Sequence, residues 1–202
     1  MFRRGWCQSV TTVTGCGMTD NEFIRDLQRF TALSAVNVTA LRRQGVGVIG
    51  RIQDYLAKLD LSGLSALHDE DGFGLWLQNT TQGMVSSKGG PEIRWGAARK
   101  ALNLFLRDAL YSKYLSRQYV LEHVEKWLEV PLDSVVAQYL KREAGRGQLP
   151  VWNGLRHLRP EESEQFQRYA SRLARQRGLA RVHLDVGIWV NNRVQSDRGS
   201  GS

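Results

Sequence analysis

Lys100 and Asp133 are the two side chains of this sequence whose types and surroundings could do covalent chemistry together. An amine becomes a nucleophile toward a sugar C1′ carbon when burial or neighbouring positive charge lowers its pKa. Arg94, Arg99 and Arg107 supply such charge nearby in sequence. Attack expels the group the carbon carries and leaves a Schiff base, from which β-elimination can cut a sugar–phosphate strand. A carboxylate must lie close, to deprotonate the amine or to stabilise an oxocarbenium-like sugar. Asp133 suits either role if it is aimed into a cleft. The plainer reading is a solvated lysine on one helix and a capping aspartate on another, since both types are common there.

The elements that would position this pair are helical. Lys100 lies in a helix predicted over about 95–114, where Ala98, Leu102, Phe105 and Ala109 form an apolar face. Lys100, Asn103 and Arg107 fall together beside it as a polar stripe. Asp133 follows Pro131, which suits the first turn of the next helix. A further helix is expected over about 119–128, between the two. Before them, Thr19 and Glu22 form a capping box ahead of a helix from about 20 to the mid-30s, resuming toward Arg43. Its buried face reads as Phe23, Leu27, Phe30, Leu33 and Ala35. Gly45-Val46-Gly47 resembles a helix-hairpin-helix turn that holds a phosphate on backbone N–H groups, or a plain interhelix turn before Ile49, Ile52, Tyr55, Leu56 and Leu59. A short helix is read over 72–80, and the Gly- and Ser-rich segment 82–93 as a mobile connection. After residue 142 come an Arg- and Gly-rich loop to 160, a helix over 161–178 and a last apolar helix.

The composition bounds the class. The chain has 202 residues, 42% of them apolar, enough for a real core. No alternating strand pattern and no membrane-length apolar run is present, so the fold class is all-α, two helical lobes with a cleft between them. The domain reading is a disordered extension at 1–18, a first lobe at 19–93, a basic catalytic lobe at 94–190 and a disordered tail at 191–202. The net charge of +8 is unevenly placed: residues 1–93 hold nine basic and nine acidic side chains, and residues 94–202 hold nineteen and eleven. A basic half beside a neutral half suggests a polyanion-facing surface, or a merely solvated one. Cys7 and Cys16 are too few for a disulfide framework or a four-cysteine cluster, and the four histidines lack metal-ligand spacing. The expectation is a reducing, cytoplasmic setting in a bacterium or archaeon, a monomer, and no cofactor, metal or membrane.

The segment K-A-L-N-L-F-L-R-D, with Lys100 five residues before Phe105, resembles the lysine helix of type-2 8-oxoguanine DNA glycosylases. V-P-L-D-S-V-V resembles the segment that carries the aspartate across the helix-hairpin-helix glycosylase superfamily. The separation of 33 residues is close to that of the archaeal 8-oxoguanine glycosylase branch. The likeness covers about residues 95–140. It implies Lys100 as nucleophile, Asp133 as its acid/base partner, and DNA containing a modified base as partner. Two departures matter: Gly96 stands four residues before Lys100 where the family has a G-x-G, and Leu102-Asn103 replaces its Ser-His pair. The pocket must therefore differ, and the substrate is either an oxidised purine or a glucosylated hydroxymethylcytosine of phage DNA. Base flipping needs stacking partners, for which Trp76, Trp152 and Trp189 are candidates beside Asn103. Arg94, Gly96, Arg99, Arg107, Arg142 and Arg146 are the candidate phosphate contacts. A non-catalytic helical DNA-binding module is the rival reading, and a protein-interaction domain a third.

Overall fold

A computed structural model describes residues 19–45 and 47–199. The expected N-terminal extension, with both cysteines, and Val46 lie outside the described residues. Among the described residues the protein is all-helical, with no strand. The helices are α1 (Asp20–Ala35), α2 (Val48–Ala57), α3 (Glu70–Val85), α4 (Trp95–Tyr111), α5 (Lys113–Tyr119), α6 (Ser134–Ala144), α7 (Pro160–Gln176) and α8 (Leu184–Gly199). Single 3-10 turns cover Ser62–Ala66, Leu121–His123, Glu125–Trp127 and Arg181–His183. Among the described residues no helix is long and apolar enough to cross a membrane.

α4 is the axis of the molecule. Every residue from Gly96 to Leu106 is buried, because α1, α2, α3 and α5 pack around it. Small side chains at Ala97, Ala98 and Ala101 let those neighbours approach, while Leu102, Phe105 and Leu106 fill the space between. Each of the large apolar side chains buried here stabilises the fold by roughly 1.5–3 kcal/mol. α4 thus belongs to the apolar cluster that runs from Ala32 to Leu128 and includes Val182. A second cluster gathers Val130 to Ile188 from α6, α7 and α8. The chain passes from one cluster to the other at Glu129, not at residue 93, because the helix that begins the basic half is the core of the first cluster.

Other expectations are corrected in the same way. The capping box of α1 forms, with Glu22 N–H donating to Thr19 Oγ1 and Thr19 N–H to Glu22 Oε2. Its buried face, however, is Gln28, Thr31, Ala32 and Ala35, while Phe30 and Leu33 are exposed. Gln28 earns its interior place by hydrogen bonding: Nε2 donates to the carbonyls of Leu56 and Leu59, and Oε1 accepts from Tyr119 Oη. Those bonds satisfy the C-terminal end of α2, which a phenylalanine could not do. α1 does not resume; residues 38–43 are turns. α3 begins earlier and ends later than expected, capped by Asp69 onto Gly72 N–H. The segment after it is clamped, since the Arg51 guanidinium donates to the carbonyls of Ser87 and Pro91. The helix expected at 119–128 is replaced by two 3-10 turns, and Val120, between α5 and the first of them, sits at φ 53. The tail expected to be disordered continues α8 as far as Gly199.

Candidate functional site

Asp133 is the N-cap of α6, and Pro131 stands two residues ahead of it, in the non-helical, buried run Val130 to Leu132. Its Oδ1 accepts both the Val135 and Val136 backbone N–H groups at 2.9 Å. Two donors on one oxygen fix the carboxylate plane and leave Oδ2 for another partner. That partner is Lys100, whose Nζ lies 3.2 Å from Oδ2. Lys100 Nζ also donates to the backbone carbonyl of Ala40 at 2.7 Å. The side chain of Lys100 is 7% exposed and that of Asp133 23%. The pair is thus largely removed from water but open on one side.

The open side is a cleft of about 950 Å³. Its walls come from three places: residues 39–44, the start of α6, and residues 153–157 of the loop before α7, with Trp189 of α8 completing it. Arg42, Arg43, Arg156 and His157 stand on these walls. Arg43 is held at φ 63, a left-handed conformation that costs a non-glycine residue on the order of 1 kcal/mol. With Arg42, Arg43, Arg156 and Lys100 against the single carboxylate of Asp133, the lining of the cleft is positive on balance. A second groove of about 930 Å³ lies along α1 and α2 and shares no lining residue with the first.

Of the residues singled out in the sequence, Lys100, Asp133 and Trp189 line this cleft; the others do not. Gly96 is buried under the loop before α7, where a Cβ would stand 2.2 Å from the Leu155 carbonyl oxygen and 3.0 Å from Leu158 Cβ. Its role is close packing between α4 and that loop, and no phosphate can reach it. Arg99 is buried, with Nε 3.1 Å from Glu129 Oε2, Nη1 donating to Thr81 Oγ1, and its guanidinium over the Trp95 ring. Burial pushes its pKa down, Glu129 opposes that, and Arg181 adds to it. Arg107 is ion-paired to Asp108 and Asp185. Burial lowers its pKa, but these two carboxylates outweigh it and the net shift is upward. Neither guanidinium is available to a phosphate. Asn103 is buried and donates to Glu129 Oε2 at 2.9 Å, its own Oδ1 lacking a partner. Trp76 stacks on Phe73 in the first cluster. Trp152 meets the Phe166 ring edge-on and donates to Ser134 Oγ at 3.1 Å, so it backs the cleft wall. Arg94 is half-buried at the N-cap of α4; Arg142 and Arg146 are exposed, Arg142 over the Tyr139 ring.

The sequence reading missed Asp185, which is 5% exposed in the first turn of α8. Burial raises its carboxyl above the usual aspartate range; Arg107 counters that, Asp133 adds to it, and Lys100 counters it. It therefore lies within electrostatic reach of the Lys100–Asp133 pair. Its signal was available, because Asp185 stands four residues before Trp189 and so shares its helix face. The wall arginines had a signal too: Arg42-Arg43 is separated from Gly45 by Gln44 alone, and Arg156 lies in the loop already read as Arg-rich. No protein-family model, curated protein or solved structure matches this chain.

Proposed function

We propose that this protein is a DNA glycosylase that acts on an extruded modified nucleotide, with Lys100 as nucleophile and Asp133 as its acid/base partner. The observation that carries the reading is the 3.2 Å approach of Lys100 Nζ to Asp133 Oδ2 in a cleft with arginines on its walls. Asp133 takes a proton from the ammonium, and the free amine attacks C1′. The Nζ–C1′ bond forms as the C1′–N glycosidic bond breaks; the base leaves with the bonding electrons and takes the proton held by Asp133. The Asp133 carboxylate then removes one N–H proton from the new secondary ammonium and passes it to the ring oxygen as the C1′–O bond breaks, which gives the protonated Schiff base. Loss of a C2′ proton then expels the 3′ phosphate, which is the lyase step, and water returns the lysine. Arg42, Arg43 and Arg156 hold phosphates at the walls, and Trp189 stacks on the extruded base.

The substrate is an oxidised purine or a glucosylated hydroxymethylcytosine, the second implying a role against phage DNA. Borohydride reduction during incubation with duplexes carrying each base, beside uracil and an unmodified control, tests the reading. A covalent protein–DNA adduct is expected with one of the modified bases and none with Lys100→Ala. Release of base without an adduct would remove Lys100 from the nucleophile's role. Salt-sensitive binding with neither release nor adduct on any duplex would leave a DNA-binding module without catalysis.

A further inference from the structure

We propose that Asn37 is a positioning residue for Lys100 and acts through the carbonyl of Ala40. The inference rests on reading Lys100 as the reactive amine. Asn37 Nδ2 donates to the Ser34 carbonyl at the end of α1 at 3.0 Å. Its Oδ1 accepts the backbone N–H groups of Thr39 and Ala40, both at 3.0 Å. One side chain therefore ties the last turn of α1 to two successive peptides of the turn that follows. The second of those residues, Ala40, supplies the carbonyl that accepts from Lys100 Nζ at 2.7 Å.

The chemistry of that carbonyl sets what it does. It accepts and can never donate, so it holds one N–H of the amine through every protonation step. Asp133 takes a second nitrogen position, and the third is left for the cleft that Lys100 lines. Lys100 comes from α4, Asp133 from α6 and Ala40 from the segment after α1, so the amine is located by three separate elements. α4 and α6 are regular helices. The third support is a turn; the Leu41 N–H bond to the Asn37 carbonyl and the Gln53 amide bond to the Val36 carbonyl hold its ends, and the Asn37 side chain fixes the Thr39 and Ala40 peptides within it. The same turn continues into Thr39, Arg42 and Arg43 of the cleft wall, so its geometry sets the amine and the wall together.

The first test needs no DNA. In 1H–15N spectra of the full chain, the side-chain ammonium signal of Lys100 is identified by its loss in Lys100→Ala. It is expected to exchange slowly with water in the wild type and at least about tenfold faster in Asn37→Ala, whose turn loses the side-chain bonds to Thr39 and Ala40. Asn37→Asp keeps both acceptor contacts and loses only the bond to Ser34, so it is expected to restore slow exchange. The second test is the rate of borohydride-trapped adduct at saturating protein. Asn37→Ala is expected to lower it by about ten- to a hundredfold, the scale on which a misplaced reacting group loses rate, with duplex affinity within about twofold of wild type. An exchange rate unchanged in Asn37→Ala, or a folded Asn37→Asp that behaves like Asn37→Ala, would overturn the assignment. Absence of any adduct with the wild type would instead overturn the nucleophile reading, whatever the ammonium signal does.

Discussion

Gly96→Ala separates two accounts of the same residue. As a family-like phosphate-binding glycine, Gly96 would tolerate a methyl in the free protein and lose DNA. The structure gives the opposite order. A Cβ at this position would stand 2.2 Å from the Leu155 carbonyl oxygen, where ordinary contact begins at 3.4 Å. The loop must retreat by about 1 Å, and a backbone carbonyl cannot swing aside as a side-chain end can. Overpacking of this kind costs roughly 1–3 kcal/mol. The gain from replacing a helical glycine by alanine is at most about 1 kcal/mol. A 2.2 Å approach to backbone puts the cost at the upper end of that range, so the net is a loss of about 2 kcal/mol. For a chain of this length that corresponds to a Tm lower by about 4–8 °C, read by differential scanning calorimetry. The retreating loop carries Asn153, Arg156 and His157 of the cleft, so duplex binding should weaken along with stability. A Tm that is unchanged or raised, with DNA affinity down tenfold, would refute the packing account and reinstate the phosphate-binding glycine.

Three further outcomes follow from the geometry. Asp133→Asn and Asp133→Ala should both abolish adduct formation, yet differ in stability by about 1 kcal/mol, because asparagine can still cap Val135 and Val136 and alanine cannot; equal denaturation midpoints would contradict the capping role. Asp185 holds its proton more tightly folded than unfolded, so its contribution to stability is fully present below the ordinary aspartate value of 3.8 and is lost as pH rises through the raised value. Urea denaturation should accordingly lose that slope above about pH 4 in Asp185→Asn, and a slope identical to wild type would show that Asp185 is not the group responsible. Arg42→Ala and Arg156→Ala should each reduce the salt dependence of duplex binding by about 0.9 in slope if each neutralises one phosphate, whereas Arg99→Ala should cost stability and leave the slope unchanged; the reverse pattern would move the nucleic-acid surface away from this cleft.

Local signals in the sequence determined much of this protein. The all-helical class followed from apolar spacing, and the capping box at Thr19 and Glu22 formed as written, because those bonds span only three residues. Lys100 and Asp133 were legible as a pair through residue type, the proline before a helix start and the likeness of their two segments to the glycosylase ones. What the sequence did not carry was the partner of the other cations on that helix. Arg99 and Arg107 read alike, as phosphate contacts. Tertiary packing instead pairs Lys100 with Asp133 and the Ala40 carbonyl, Arg99 with Glu129 and Thr81, and Arg107 with Asp108 and Asp185. A helix buried all round has no solvent face on which a cation can rest, so each charge must find a partner from a distant segment. The same cause moved Gly96 from ligand binding to helix–loop contact and exchanged Phe30 for Gln28 inside α1. Periodicity tells which side of a helix is apolar on average; only the assembled neighbours decide which polar atoms are answered in the interior and which cations remain for a ligand.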